Sequence, residues 1–501
     1  MGSLSTNVGI PPLPSGGPAQ LVGSISAAAR AIRQKALTCE ELVVNCLDRI
    51  EALEPTLNAF ITITRDEAIA TARKRDQELR GGRDRGPLHG IPIVYKDNIK
   101  TAGVRTTVGS RFLGDNVPAE DAAIVRRLND AGSVMLGKSN MSEFASGSSG
   151  SNPFYGDVHN PWDLHRSPGG SSSGTGVAVS AGFCLAGIGT DSGGSIRQPA
   201  SRLNIFGLRP TLGRVDLTGV YPRTRTLGAA GPMTSTAWDA AIVLNALLGT
   251  DAAPANRWDP LGRDVARELE LGIRGVRVAT IADFSFENVE SEVEAALLKA
   301  IDCLANLGAQ IQVVQVPVLT QLDYDSLFAN VLLYEFNEIL GPEYRSAPKR
   351  SELFGPAVQR DIERGVNVPR ATYERIIRER PDQVDEFKRV FEHVDVLLTP
   401  TLPNVPPLQS SGPEVWARGR QFNLPFSFLG VPAISVPCGF AAGSLPLGMQ
   451  LIANHGQEEL LLRVAAAFDS ITGLSSRRPP LSARPATACI GESFRSTLPA
   501  Q

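Results

Sequence analysis

Apolar residues recur at every third or fourth position through much of residues 24–80, which predicts amphipathic helices in the first part of the chain. The stretch LTCEELVVNCLDRIEALEP shows this pattern clearly, and Thr38 is the expected N-cap before Glu41. The pattern changes at residues 90–99, GIPIVYKDNI, a short apolar run bounded by glycine and proline. A run of this length and composition indicates a buried strand.

Helix and strand patterns then alternate to about residue 250, and this alternation predicts an α/β fold with a mostly parallel or mixed sheet. Residues 255–420 are more charged and more helical in pattern, so we expect a helical variable region there. The other segments that carry the pattern are residues 122–141 (helix, glycine turn, strand), 176–190 (helix, strand), 394–401 and 431–440 (strands).

The two ends of the chain lack any such period. Residues 1–23 are rich in glycine, proline and serine, which predicts a flexible lead-in. Residues 476–501 show no regular spacing of apolar positions, and we expect an irregular tail there.

Composition and charge argue against several classes of protein. The net charge is −3, so no basic surface indicates a nucleic-acid partner. No apolar run reaches the roughly 18 residues of a membrane-spanning helix. The six cysteines are scattered without a C-x-x-C pair, and the five histidines show no metal-binding spacing. We therefore expect a cytoplasmic protein with reduced thiols, no membrane span, no metal and no nucleic-acid partner.

Three polar segments carry candidate chemistry. They are GIPIVYKDN, which contains Lys96; GGSSSGTG, which contains Ser171; and GTDSGGSIRQPA, which contains Ser195. Each is weak alone, since a glycine- and serine-rich loop before a helix can hold phosphate and a lone lysine is usually exposed. None of them matches a Walker A loop or a dinucleotide fingerprint.

Taken in order, with the three residues 75 and 24 positions apart, the segments resemble those of the amidase signature family. Four further stretches are similar to the family: GKSNMSEFASG, NPWD, GLRPTLGRV and GVPAISVPCGF. The resemblance covers about residues 24–475, and it implies one amidase signature domain there. It also implies the family's fold, an α/β fold with a mixed β-sheet core flanked by helices on both sides.

The resemblance implies that Ser195 is a nucleophile, Ser171 its hydrogen-bonded relay and Lys96 the base. It also implies a cis peptide bond between Gly170 and Ser171. The residue types fit these roles, because a serine hydroxyl needs an adjacent base and a lysine can be that base only when burial lowers its pKa.

The strand around Lys96 supports this interpretation. Side chains alternate along a strand, so Lys96 is expected to share a face with Val94 and Asn98 while Asp97 points away. A carboxylate on the same face would raise the pKa of the lysine and keep it charged.

The loop that contains Ser195 predicts an oxyanion site, because consecutive backbone amides before an expected helix start point into one concavity. The candidate donors are the amides of Ser192, Gly193, Gly194 and Ser195. We expect Asp191 and Arg197 to brace the loop as a pair, and Ser173 is a candidate for holding Lys96.

The resemblance also places the substrate pocket near residues 141–145 and in the variable region between about 320 and 430. The candidate substrate-binding residues are Met141, Ala145, Gly170 and Ser171. Phe422, Phe426 and Phe428 either line this pocket, which would favour an aromatic or medium aliphatic group, or pack the core. The residues leave both interpretations open.

The sequence therefore predicts an amidase that hydrolyses a small-molecule or non-peptide amide C–N bond, with aryl amides, aliphatic amides and carbamates open as substrates. No cofactor is implied, and a homodimer stays open as its assembly.

Two other interpretations stay open. The first is the glutaminase subunit of a tRNA-dependent amidotransferase, although we expect the C-terminal half to depart from that branch. The second is an inactive scaffold or binding protein, against which the intact Lys96, Ser171 and Ser195 argue.

Overall fold

The computed structural model describes residues 23–249 and 265–481. The predicted lead-in before Gly23 and the predicted tail beyond Leu481 lie outside the described residues. The strands are β1 Phe60–Ile63, β2 Pro92–Lys96, β3 Val134–Ser139, β4 Ala186–Asp191, β5 Phe206–Arg209, β6 Ala229–Thr234, β7 Arg277–Ile281, β8 Gln310–Val314, β9 Val396–Pro400, β10 Ala433–Phe440 and β11 Pro446–Ile452.

Helices surround these strands in the chain order expected of an α/β fold. The α-helices are α1 Ile25–Arg33, α2 Cys39–Leu57, α3 Arg65–Arg80, α4 Ala123–Asp130, α5 Ser173–Ser180, α6 Arg197–Arg202, α7 Ala237–Leu248, α8 Ser291–Asn306, α9 Pro317–Thr320, α10 Tyr324–Ser346, α11 Arg350–Leu353, α12 Pro356–Val366, α13 Arg370–Arg389, α14 Pro413–Arg418, α15 Leu424–Leu429 and α16 Glu458–Thr472. Short 3₁₀ turns are Glu143–Ala145, Val265–Leu271, Val390–Glu392, Ala442–Ser444 and Leu474–Ser476.

All the described strands form one mixed sheet in the order β1-β3-β2-β4-β6-β5-β10-β11-β9-β7-β8. Strand β2 runs parallel to β3 and β4, and β7 runs parallel to β8 and β9. The other neighbouring pairs are antiparallel. The prediction of a mixed sheet flanked by helices is confirmed.

The sequence patterns mark most of these elements correctly. Thr38 caps α2, and its side chain and that of Glu41 form a reciprocal capping box. Every residue of β2 is buried, which requires cover on both faces of the sheet. Residues 60–63, within the stretch interpreted as helical, form the edge strand β1 instead. Its four residues run from a buried Phe60 to an exposed Ile63, and a segment this short and without alternation cannot be distinguished from a helix by its pattern.

The expected helical region at residues 255–420 contains α8 to α14, but it also contributes β7, β8 and β9 to the common sheet. Its residues 255–264 lie outside the described residues. The region is therefore part of the same sheet rather than an all-helical insertion, and its outer limits stay a prediction.

Three clusters of buried apolar side chains hold the fold. The largest lies between the sheet and its flanking helices. The second surrounds α10, α13 and α15 and contains Phe422, Phe426 and Phe428, each of them fully buried. The third packs Met141 and Phe144 against α10. Within the described ranges, no helix is both long and apolar enough to cross a membrane.

Candidate active site

Lys96 is the last residue of β2, and its side chain is fully buried. Its Nζ donates to Ser171 Oγ at 2.8 Å and to Thr190 Oγ1 at 2.9 Å. Burial lowers the pKa of Lys96 from its usual value near 10.5 to about 7, with Asp191 acting in the opposite direction. A large fraction of this lysine is therefore neutral near neutral pH, as a general base must be.

The residues after Lys96 alternate between the two faces as expected. Asn98 Nδ2 donates to the same Thr190 Oγ1, at 3.2 Å, so it shares the face of Lys96. Asp97 lies on the other face, where its Oδ1 is 3.8 Å from Lys138 Nζ. No carboxylate within ion-pairing distance holds Lys96 in its charged form among the described residues.

Ser171 and Ser195 line one cavity of about 760 Å³, which we call the serine pocket. Ser171 follows a cis peptide bond from Gly170, as the resemblance implies. No hydrogen bond joins Ser195 Oγ to Ser171 Oγ within the described residues. The structure thus brings Lys96, Ser171 and Ser195 to one site and joins Lys96 to Ser171 by a hydrogen bond, while the relay itself stays a prediction.

The loop between β4 and α6 carries Ser195 and is fixed by a buried ion pair. Arg197 Nε lies 3.0 Å from Asp191 Oδ2, and Arg209 Nε lies 3.7 Å from Asp191 Oδ1. Burial acts to raise the pKa of Asp191, but the two arginines outweigh it and hold that pKa at about 2. Asp191 therefore stays charged and braces the loop at any working pH.

The same arginine ties this loop to the C-terminal half of the chain. Arg197 donates to Gln450 Oε1 at 2.7 Å and to Ser427 Oγ at 2.6 Å. The sequence motif indicated the Asp191–Arg197 pair, but nothing in it pointed to Gln450 or Ser427, because these residues are more than 200 positions away.

The backbone amides of this loop differ in what they bind. Gly194 N donates to Asp191 Oδ1 at 2.7 Å, so this amide is directed at the brace and not into the pocket. The amides of Ser192, Gly193 and Ser195 donate to no other group within the described residues. Three of the four amides expected in an oxyanion site are thus free to donate to a substrate oxygen. The amide of Gly194 is not, so its prediction as an oxyanion donor is wrong.

Close approach explains the glycine at position 193. A Cβ there would lie 2.7 Å from the Phe328 ring and 2.9 Å from Leu424 Cδ2, closer than carbon atoms can pack. Both residues line the serine pocket, so the loop lies directly against an apolar part of its wall.

Thr190, which the sequence interpretation missed, holds Lys96 in the way expected of Ser173. The Ser173 hydroxyl is buried and has no hydrogen-bond partner, so the expectation that it holds Lys96 is wrong. The signal for Thr190 was its place one residue before Asp191 in β4, on the strand next to β2. Ser172 acts indirectly, since its Oγ donates to Thr190 O at 3.2 Å.

The predicted substrate-binding residues divide into two groups. Ala145, Gly170 and Ser171 line the serine pocket. Met141 does not line it, because its side chain is fully buried in the third apolar cluster. The three phenylalanines at 422, 426 and 428 are core residues, so the interpretation that placed them in the pocket is wrong.

Charged side chains form much of the pocket wall, and the sequence interpretation missed them. They are Glu143, Asp157, Arg223, Asp325, Arg360, Asp361, Arg364 and Arg420. Burial raises the pKa of Glu143 to about 7, and Glu143 binds Ser110 Oγ and Gly355 N at 2.7 and 2.8 Å. Five of the eight come from α10, α12 and the segment after β9, and the other three from segments between residues 143 and 223, so no local motif could reveal the set.

Comparison with known proteins identifies the family of the chain. The family model described as Amidase matches residues 41–462, and the chain belongs to this family. A relative from Synechococcus sp. (strain RCC307), named as a subunit of glutamyl-tRNA(Gln) amidotransferase, is 37% identical over 482 residues, which cover 91% of this chain and 98% of the relative. This match extends through the C-terminal half, which we expected to depart from that branch.

Solved structures share the fold over a similar length. Native peptide amidase from Stenotrophomonas maltophilia has a TM-score of 0.80 at 32% identity, with 91% of this chain and 98% of that chain covered. A chain from a structure described as "An unexpected vestigial protein complex reveals the evolutionary origins of an s-triazine catabolic enzyme" has a TM-score of 0.84 at 29% identity, with 91% of this chain and 100% of that chain covered.

Proposed function

We propose that this chain hydrolyses an amide C–N bond through an acyl-enzyme on Ser195, with Ser171 and Lys96 as the proton relay. The observation that carries the proposal is a fully buried lysine of lowered pKa, 2.8 Å from Ser171, in a pocket that Ser195 also lines. Membership of the amidase family supports the same reaction class.

The proposed steps use this geometry. With Lys96 neutral, the bond to Ser171 reverses and the serine donates to the amine. Rotation of the Ser195 side chain brings its hydroxyl to Ser171, and Ser195 attacks the carbonyl carbon while its proton passes through Ser171 to Lys96. The free amides of Ser192 and Gly193, with that of Ser195 itself, stabilise the negative oxygen.

The proton then returns from Lys96 to the nitrogen of the leaving group, and the C–N bond breaks. Water repeats the sequence on the acyl-enzyme, giving a carboxylic acid and free Ser195. One set of groups serves both halves, because each half requires a proton to be taken up and then returned.

Covalent labelling tests the nucleophile. A sulfonyl fluoride should modify the peptide that contains Ser195, as read by mass spectrometry, and the Ser195→Ala variant should remain unlabelled. An adduct on Ser171 or Ser172 would overturn the assignment. Absence of both an adduct and turnover in the folded protein would favour an inactive scaffold.

Replacement of the relay tests the second serine. Ser171→Ala should lower kcat for an amide by about 10²–10⁴-fold, the usual worth of a general acid–base step, while the protein stays folded. Turnover close to that of the wild type would mean that Lys96 acts on Ser195 directly or not at all.

The pocket wall bears on the substrate. Its mixture of arginine, aspartate and glutamate side chains supports a polar or charged amide. The phenylalanines at 422, 426 and 428 give no support to an aryl amide, because they lie in the core; the aromatic part of the wall is formed by Phe328 and Trp416.

A second candidate is the glutaminase subunit of an amidotransferase, and the comparisons support it better than hydrolysis of aryl amides or carbamates. The curated relative of 37% identity bears the name of an amidotransferase subunit. Glutamine carries both an ammonium and a carboxylate, which suits a wall with charges of both signs. A chain in this role would pass ammonia to partner subunits.

A substrate panel separates the two candidates. The purified chain alone would be assayed with glutamine, short aliphatic amides, an anilide, a carbamate and an ester. Glutamine hydrolysis far above the rest supports the glutaminase role, and hydrolysis of other amides with glutamine inert supports an independent amidase. Stimulation of glutamine hydrolysis by a co-purified partner would add to the support for the glutaminase role.

A further inference from the structure

The serine pocket continues into a second cavity of about 510 Å³, which we call the side cleft. The residues that line the side cleft are Asp325, Ser326, Ala329, Asn330, Leu333, Arg364, Asn367, Val368 and Arg420. Five of these, Asp325, Ala329, Leu333, Arg364 and Arg420, also line the serine pocket. The two cavities therefore lie side by side along these five residues, and the side cleft is the neighbouring space for a substrate held at Ser195.

The charges of the side cleft do not balance. Arg420 Nε lies 3.5 Å from Asp325 Oδ1, so these two charges offset each other. Arg364 is the remaining charged residue of the lining, and it makes no ion pair within the described residues. Two carboxylates precede it on α12: Asp361 is 2.5 Å from Arg223 Nη2 and is already paired, and the adjacent Glu363 accepts from Tyr344 Oη at 3.3 Å. One positive charge is thus left facing the cleft.

The helix that carries Arg364 is held firmly against the pocket. Glu143 Oε2 accepts from Gly355 N just before α12, and Arg223 pairs with Asp361 within it. A Cβ on Gly365 would lie 2.3 Å from Leu333 O, so α12 packs directly on the backbone of α10. These contacts fix the position of the α12 backbone that carries Arg364 at the wall of the serine pocket.

We propose that the side cleft binds a carboxylate at the far end of the amide substrate, and that Arg364 is the residue that selects it. The guanidinium can take a carboxylate through two parallel hydrogen bonds, which neutral substrates cannot offer. The inference rests on the proposed amide hydrolysis and adds a substrate class to it: amides that carry an acidic group several bonds from the scissile carbonyl.

Arg360 is the competing candidate. It lies one turn before Arg364 on α12, lines only the serine pocket, and also lacks an ion pair within the described residues. A carboxylate held by Arg360 would stay in the serine pocket and would suit a shorter substrate, so the two arginines predict different chain lengths.

Two substrate series test the proposal. The acidic series runs from succinamic through glutaramic and adipamic to suberamic acid, and the neutral series consists of the alkanamides of matching length. We expect kcat/KM to pass through a maximum with length in the acidic series alone. Arg364→Gln should raise KM for the best acid about tenfold, with kcat and the neutral series unchanged. Arg364→Lys should recover part of the loss.

Arg375→Gln is the control, since it removes an exposed arginine, paired with Glu379, from α13, and that arginine lines neither cavity. Equal kinetics for acids and alkanamides would overturn the proposal, as would a loss of acid preference in Arg360→Gln with Arg364→Gln unchanged.

A binding measurement separates this inference from the proposed function. Calorimetric titration of adipamic acid into the Ser195→Ala variant reads binding without turnover. If the binding is lost in the double variant Ser195→Ala/Arg364→Gln, the result supports the side cleft as the carboxylate site, even if the wild type hydrolyses no amide. Absence of binding, or binding indifferent to Arg364, overturns it. Failure of hydrolysis across both series counts against the proposed reaction alone.

Discussion

Lys96 and Lys138 are buried lysines in neighbouring strands, and their surroundings differ in one respect. Lys138 lies 3.8 Å from Asp97, and its Nζ also donates to Thr106 Oγ1 at 2.7 Å. Burial lowers the pKa of Lys138 to about 8, with Asp97 opposing the shift, whereas the pKa of Lys96 falls to about 7. Lys96 has hydroxyl neighbours and no paired carboxylate among the described residues.

The difference shows how the two faces of one strand give two buried lysines different partners and so different expected roles. Successive residues of a strand point to opposite faces, so Asp97 reaches Lys138 and cannot pair with Lys96. A carboxylate beside a buried lysine opposes the lowering of its pKa and favours the charged form, as Asp97 does for Lys138. A lysine beside hydroxyls can lose its proton and serve as a base.

The largest effect should come from giving Lys96 a permanent charge. Lys96→Arg should lower kcat/KM for an amide by about 10²–10⁴-fold or more, because a guanidinium stays protonated and cannot accept a proton. Lys96→Ala should lose amide hydrolysis equally while an activated ester keeps some turnover. Steady-state kinetics on a matched amide and ester measure both.

The corresponding change on the other face is its control. Lys138→Arg keeps a cation beside Asp97 and should leave amide kcat/KM within a few-fold of the wild type, provided circular dichroism shows the native fold. If Lys96→Arg kept its amide hydrolysis, Lys96 would act as a fixed positive charge. The contrast between Lys96 as a base and Lys138 as a structural cation would then be wrong.

Removing the structural cation should instead affect stability. Lys138→Met leaves the buried Asp97 without its partner and should lower the free energy of unfolding by about 3–5 kcal/mol. Denaturant unfolding measures the loss. Adding Asp97→Asn should restore part of it, and Lys96→Met, which strands no carboxylate, should cost much less. Equal losses for the two single methionine variants would contradict the assignment.

The pH dependence of kcat/KM should follow Lys96. In the proposed mechanism only the neutral amine accepts the proton, so the rate should rise about tenfold per pH unit below a pKa of about 7 and level off above it. The residual ester turnover of Lys96→Ala should not show this rise with pH. A flat amide profile between pH 5 and 7 would rule out titration of the base in that range.

The smallest effect is expected at the hydroxyl that orients the base. Thr190→Val removes an acceptor from Lys96 Nζ and should lower kcat about 3- to 10-fold. The limb of the pH profile should move to lower pH, because the lost bond favoured the charged amine. Ser173→Ala, which removes an unpartnered hydroxyl, is the control. An equal loss in that variant would return the holding role to Ser173.

Local patterns were sufficient for the parts of the fold and site that depend on neighbouring residues. The capping box at Thr38, the buried strand at Lys96 and its alternation with Asp97 all follow from short-range chemistry. The resemblance supplied Ser171 and Ser195, which strand and helix periods alone would not have singled out.

The remaining features depend on contacts between distant segments. Arg364 reaches the site through the packing of α12 on α10, and Gln450 reaches Arg197 across the sheet. Neither residue stands in a motif, and no period along the chain marks it. The burial of Phe422 likewise follows from tertiary packing. The sequence alone does not tell whether such an apolar residue lies in the core or lines a pocket.

The tie between Arg197 and the C-terminal half also bears on when the protein becomes active during its synthesis. Lys96, Ser171 and Ser195 leave the ribosome well before Ser427 and Gln450, the side chains that hold Arg197. A nascent chain that ends short of these two residues carries all its reactive groups but lacks the contacts that set the nucleophile loop. Folding of a domain follows the emergence of its whole chain, so the loop would be set, and the proposed hydrolysis could begin, only after Gln450 has been made.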